Sequence, residues 1–233
     1  MKEAGAAPDM VQIGNEITSG ILWPDGKTWG EGSGDFDKLA VLLKAGVQGV
    51  YDQIDPKYVK IMMHIDGGGD NSKSRWFFDQ LAARGVPFDV IGLSYYPYWN
   101  GALADLQNNM NDISQRYNKD VVIAETAYAY TLQEADNEPN VFIASDAVEG
   151  CDVSVQGQAK FLKDLMKTIY SVPDERGLGF FYWEPAWIPV PGAGWISGGG
   201  DGWENQALFD FNGNALPSLN VFKENRPIIV KRN

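Results

Sequence analysis

The chain has 233 residues, 44% of them hydrophobic and 12% aromatic, and carries a formal net charge of −12 from 31 acidic against 19 basic residues. That length supports a substantial core, while the charge repels phosphate backbones and anionic lipid, which excludes nucleic acid and membrane surfaces as natural partners. One cysteine, Cys151, and one histidine, His64, exclude an intramolecular disulfide and a Cys/His zinc centre and argue against a Ser-His triad.

The first ten residues, MKEAGAAPDM, hold no apolar run of signal-peptide length. From there, five short apolar runs predict strands: 10–17, 59–65, 88–99, 120–128 and 178–187. Each is apolar on successive residues, the pattern of parallel strands covered on both faces. Between them, helical spacing appears over 35–54, with Asp35 as a cap, then over 73–85 ending at Gly85, 101–118 and 155–172. Strand-helix alternation of this kind predicts an α/β fold with a parallel sheet. Two long loops, 129–154 and the Gly/Pro/Trp-rich 188–206, follow strands, on the side where α/β barrels keep their active sites.

The strand exits carry polar and aromatic side chains: Asn15 and Glu16; His64 and Asp66; Ser94, Tyr95, Tyr96 and Trp99; Glu125 and Thr126; Trp183, Glu184 and Trp187. In a barrel such exits converge on one face. Two carboxylates among aromatics suit carbohydrate chemistry: glycosidic cleavage needs one acid to protonate the leaving oxygen and one carboxylate to attack the developing cation, while sugar rings pack on Trp and Tyr. Trp76 and Tyr170, inside helical segments, read instead as core filler. Cys151 reads as an unactivated thiol. IDGGGD lacks the Lys-Ser/Thr of a phosphate loop.

VQIGNEITSGILWPDGK, IGLSYYPYW, VVIAETAYAYT, GLGFFYWEPAWIPV and NQALFDFNGNALPSL, in that order, resemble the arabinogalactan endo-β-1,4-galactanases of glycoside hydrolase family 53, and the resemblance runs from Met10 to about Phe222. It implies a (β/α)8 barrel and a retaining double displacement, with Glu16 as acid/base at the end of the family's fourth strand and Glu125 as nucleophile at the end of the seventh. It also implies that Asn15 binds the substrate 2-hydroxyl, that Tyr96 rather than Tyr95 helps hold the nucleophile, and that Trp183 stacks beneath the sugar; Trp187, which with Trp183 flanks Glu184 and Pro185 where the strand ends, reads from that position as a further substrate-binding residue. The retaining geometry asks for carboxyl groups about 5 to 5.5 Å apart. The implied substrate is the galactan of pectin and type I arabinogalactan, the implied location secreted or periplasmic, and no cofactor is required for the chemistry.

Two assignments carry paired readings. The loop EADNEPN offers Glu134, Asp136, Glu138 and Asn140, with Asp201 and Glu204 further on; it reads either as a solvated acidic loop or, as bacterial members of the family imply, as a calcium site. His64 reads either as a ligand of a sugar hydroxyl or of the nucleophile, or as a buried structural residue.

Since the family's acid lies on strand four of eight, the expectation is one partial barrel domain over 1–233, covering about strands four to eight, with Met1 internal to a longer protein. Two alternatives stay open: a related glycosidase acting on another β-1,4-glycan, and an inactive carbohydrate-binding remnant.

Overall fold

A computed structural model describes residues 2–29, 36–195 and 198–224. The chain divides into two compact units. The first comprises Met1–Tyr95, Trp99–Glu125 and Ile169–Phe181 and is built on a five-stranded sheet. In chain order its strands are β1 (Met10–Gln12), β4 (Lys60–Ile65), β5 (Val90–Ser94), β6 (Asp120–Thr126) and β7 (Gly177–Tyr182), adjacent in that order, with the pairs β1/β4, β4/β5 and β5/β6 parallel. A small antiparallel hairpin, β2 (Gly20–Ile21) and β3 (Gly26–Lys27), leaves β1. The five expected strands are therefore present. Their ends fall short of the apolar runs because the polar exits leave the ladder.

Helices α1 (Phe36–Tyr51), α2 (Asn71–Ala83) and α4 (Leu103–Tyr117) accompany the sheet, with a one-turn α3 (Pro97–Asn100) before α4. On α1, Phe36, Leu39, Ala40, Leu43 and Val47 are buried, the stripe that helical spacing predicts; each large side chain so buried contributes roughly 1.5 to 3 kcal/mol. The expected cap Asp35 lies outside the described residues. The α2 helix starts earlier than the apolar pattern suggests, because Asp70 accepts the Lys73 N–H at 2.9 Å and caps it. Its buried stripe is Ser74, Phe77, Phe78 and Leu81. Trp76 falls off that stripe and is 44% exposed, so it is not the core filler expected. The turn into α2 explains the glycine run: a Cβ on Gly69 would sit 1.9 Å from the Asn100 carbonyl oxygen, so close backbone approach, not phosphate, requires glycine there.

The second unit comprises Tyr96–Tyr98, Thr126–Thr168 and Tyr182–Asn233, and holds most of α5 (Val155–Tyr170) and all of α6 (Ser218–Glu224). Phe161, Leu162, Leu165, Met166 and Ile169 form the buried face of α5. Tyr170 stands off that face, 39% exposed, and is likewise not filler. Buried Gln158 ties the unit together: its amide donates to the carbonyls of Tyr128 and Ala207, each at 2.9 Å, and its Oε1 accepts from Ser218 Oγ at 2.7 Å. A buried amide so fully partnered fixes a single arrangement of the three segments. Cys151 is buried and its thiol pKa is pushed up, chiefly by that burial, as expected of an inert thiol. No helix among the described residues is long and apolar enough to cross a membrane.

Candidate active site

In the first unit, period-two alternation places Val122 and Ala124 of β6 on one face of the sheet, packed with Met62, Val90 and Met10. By the same alternation Glu125 would turn to the opposite face. The ladder slips instead: Leu93 pairs with Ile123, but Ser94 pairs with Glu125. Ser94 shares the face of Val90, so this bulge re-aims Glu125 onto the face it would otherwise miss.

On that face stands His64 of β4, fully buried. Its Nε2 lies 2.9 Å from Ser94 Oγ and its Nδ1 lies 3.0 Å from Asn15 Oδ1, while the Glu16 N–H donates to Nδ1 at 3.4 Å. The facing residue of β5 is Gly92, where a Cβ would lie 3.2 Å from that of His64 and 2.9 Å from Met62 Sδ. Burial drives the His64 pKa down to about 4 against the opposing pull of Asp66, so the ring is neutral at physiological pH. Its placement gives His64 no exposed surface for a sugar hydroxyl; it is a strut between the exits of β1 and β5.

Glu16 follows β1 in a left-handed conformation, φ 47° and ψ 51°, with Ile17 beside it fully buried. For a residue with a Cβ that conformation costs roughly 1 to 3 kcal/mol and needs surrounding structure to hold it. The His64 contact and the Ile17 anchor supply it. A carboxylate oxygen of Glu16, one of Glu125 and a ring nitrogen of His64 all lie within 4.8 Å of one another. Three such groups can in principle hold a metal, but both ring nitrogens already meet protein partners. What remains is a pair of carboxylates at close range.

Tyr95 donates its hydroxyl to the Gly101 carbonyl at 2.8 Å, which leaves Tyr96 as the tyrosine of that pair not committed to this turn. In the second unit Tyr96 is buried in an aromatic cluster with Ala127 and Trp203, joined by Tyr98, Tyr182, Trp183 and Trp187. Trp187 packs on the exposed Trp195, ring centroids 4.8 Å apart.

The acidic loop divides. Glu134 and Glu138 are exposed. Asp136 accepts the N–H groups of Glu138 and Asp201, both at 2.7 Å, and Glu204 accepts the Ala135 N–H at 2.6 Å. Asn140 Oδ1, Asp201 Oδ2 and Glu204 Oε2 are buried oxygens with no hydrogen-bond donor. Burial, with Asp136 and Glu184 adding repulsion, pushes the Asp201 pKa up to about 6. Burial and the Asp136 and Asp201 charges raise that of Glu204 as well. Orphaned oxygens beside crowded acids fit an oxygen-seeking cation.

Residues 1–222 match the family model for glycosyl hydrolase family 53. The chain belongs to that family. Among family 53 relatives, the endo-beta-1,4-galactanase of Bacillus subtilis is 33% identical over 96% of this chain and 56% of its own length. A Niallia circulans protein described as "Uncharacterized protein in bgaB 5'region" is 44% identical over 96% of this chain and 61% of its own. The solved Ignisphaera aggregans GH53 catalytic domain superposes with a TM-score of 0.86 at 45% identity, covering 95% of this chain and 60% of that one. The chain thus spans 56 to 61% of the length of these relatives, and its five-stranded sheet is part of the (β/α)8 barrel of family 53. Family 53 hydrolases need no cofactor for their chemistry.

Five residues that sequence reasoning did not single out for the site, Thr18, Ser19, Thr28, Trp29 and Trp76, line with Asp66 a cavity beside Glu16. For Trp76 a signal existed, since the 74-77-78-81 stripe of α2 leaves it outside.

Proposed function

We propose that the chain carries the catalytic pair of an endo-β-1,4-galactanase acting by double displacement with retention. The observation that carries this is the approach of Glu16 and Glu125 oxygens to within 4.8 Å, which suits the close pair of a retaining enzyme and leaves no room for the water an inverting enzyme places between its carboxyls. Glu125 attacks the anomeric carbon as Glu16 gives its proton to the glycosidic oxygen and the C–O bond breaks. Water then gives a proton to Glu16 and its oxygen to the anomeric carbon, releasing Glu125. Asn15 binds the 2-hydroxyl, His64 positions Asn15 and Glu16, Tyr96 supports the nucleophile, and Trp183 and Trp187 bind sugar faces. The substrate is the galactan of pectin, met outside the cytoplasm.

The test is release of reducing ends from β-1,4-galactan beside xylan, mannan and mixed β-glucan, with the anomer of the first product read by NMR. Galactan preference with initial β-product is expected. Preference for another glycan overturns the substrate, and initial α-product overturns the mechanism.

The second unit's Asp136, Asn140, Asp201 and Glu204 are proposed to hold a calcium ion that ties loop 129–154 to loop 188–206. Support comes from the three orphaned buried oxygens.

A further inference from the structure

The cavity beside Glu16 has a volume of about 450 Å³, within the range of small-ligand clefts. Glu16 lines it and Glu125 is absent from its lining. That asymmetry gives the cavity a direction. In a retaining glycosidase the nucleophile sits under the anomeric carbon, while the acid sits against the oxygen that departs. A space bordered by the acid alone is where the leaving group goes.

Its walls suit a sugar. Trp29 is 52% exposed and Trp76 44%, large apolar surfaces that a soluble protein seldom leaves open beside a catalytic group without use. Both rings are braced edge-on: Trp76 against Phe36 at 5.2 Å and Trp29 against Trp23 at 5.6 Å. In the same lining, Asp66 is held as a carboxylate. Burial would raise its pKa, but hydrogen bonds from Thr18 and Lys73 outweigh it and the pKa is lowered. Those two donors take one site on each oxygen, leaving lone pairs for sugar hydroxyls.

We propose that Trp29, Trp76 and Asp66 form the leaving-group subsite, where the sugar residues that depart with the proton of Glu16 stack on indole and donate hydroxyls to carboxylate. This rests on the glycosidase reading above, and it adds binding residues outside the catalytic pair.

The test compares Trp76→Ala and Asp66→Asn with the parent protein on two substrates: β-1,4-galactan, and an aryl β-galactobioside whose nitrophenol replaces the departing sugars. The ratio of kcat/KM on galactan to kcat/KM on the aryl substrate should fall about tenfold in each variant, the scale of one lost aromatic or charged contact. Trp76→Phe should recover part of the loss. An unchanged ratio in both variants, with parental circular dichroism, overturns the subsite. Should the parent prefer another β-1,4-glycan, the substrate reading fails while the same ratio, taken with that glycan and its aryl glycoside, still decides the subsite.

Discussion

Ser94 of β5 pairs with Glu125 of β6 one residue out of step with the pairs before it. The slip decides which face of the sheet receives Glu125, because strand side chains alternate and one residue reverses them. Insertion of one residue between Leu93 and Ser94 should give Ala124 a partner, restore the regular ladder and turn Glu125 away from Glu16. The expected outcome is loss of measurable turnover with the far-ultraviolet circular dichroism preserved. Retained turnover in the insertion variant would show that the bulge is incidental.

Removing the proton of Glu16 should matter in proportion to how badly the leaving group needs it. In Glu16→Gln, kcat on galactan should fall by a factor of about 10² to 10⁴, the usual contribution of general acid catalysis. On a dinitrophenyl glycoside, which leaves without protonation, the loss in the glycosylation step should be far smaller. Equal losses on both substrates would mean that Glu16 is not the acid.

His64 makes stability depend on pH with a defined sign. Its pKa is about 4 folded against 6.5 unfolded, so the unfolded chain binds the proton more readily. Its contribution is therefore complete above pH 6.5, is lost as pH falls from 6.5 towards 4, and amounts to roughly 3 kcal/mol across that window. Urea midpoints of the parent and of His64→Asn, taken between pH 7 and 4, should converge as pH falls. Parallel curves would show that His64 does not supply the dependence.

The calcium site should give a dependence of the same sign by a different route. Asp201, with its pKa raised to about 6, must give up its proton to bind a cation, so affinity should rise with pH through that value. At pH 7.5, calcium at a hundred times Kd should stabilise by about 2.7 kcal/mol, roughly 5 to 10 °C in Tm, and the gain should shrink at pH 5. Asp201→Asn should abolish it. A Tm indifferent to calcium and to chelator at pH 7.5 would leave the acidic loop as a solvated one.

The parallel sheet and its helices were legible because apolar runs and helical stripes are local signals; Phe36, Leu39, Leu43 and Val47 declare α1 without help from the rest of the chain. The carboxylates were legible as types, Glu16 and Glu125 at strand exits. Their proximity was not, because it depends on a register slip that leaves no mark on VVIAET. Nor could sequence tell that His64 would be wholly enclosed, since that follows from its lying opposite Gly92 on the neighbouring strand. Trp76 misled because a place inside a helical segment reads as core until the helical phase is counted, and the buried stripe takes Phe77 and Phe78 and leaves Trp76 outside. The acidic loop spoke only of composition; which oxygens are left without donors depends on Asp201 and Glu204, far along the chain.

Glu16 follows β1 and Glu125 closes β6, and β4 and β5 stand between those strands. Three interstrand steps along a flat sheet would set the two exits roughly 14 Å apart. Their oxygens nonetheless meet within 4.8 Å. The carboxylates therefore act as a caliper on the bend of the sheet, closing as it curls and opening as it relaxes. A substitution anywhere in these strands that flattens the curvature would part the two carboxylates while leaving both residues in the chain.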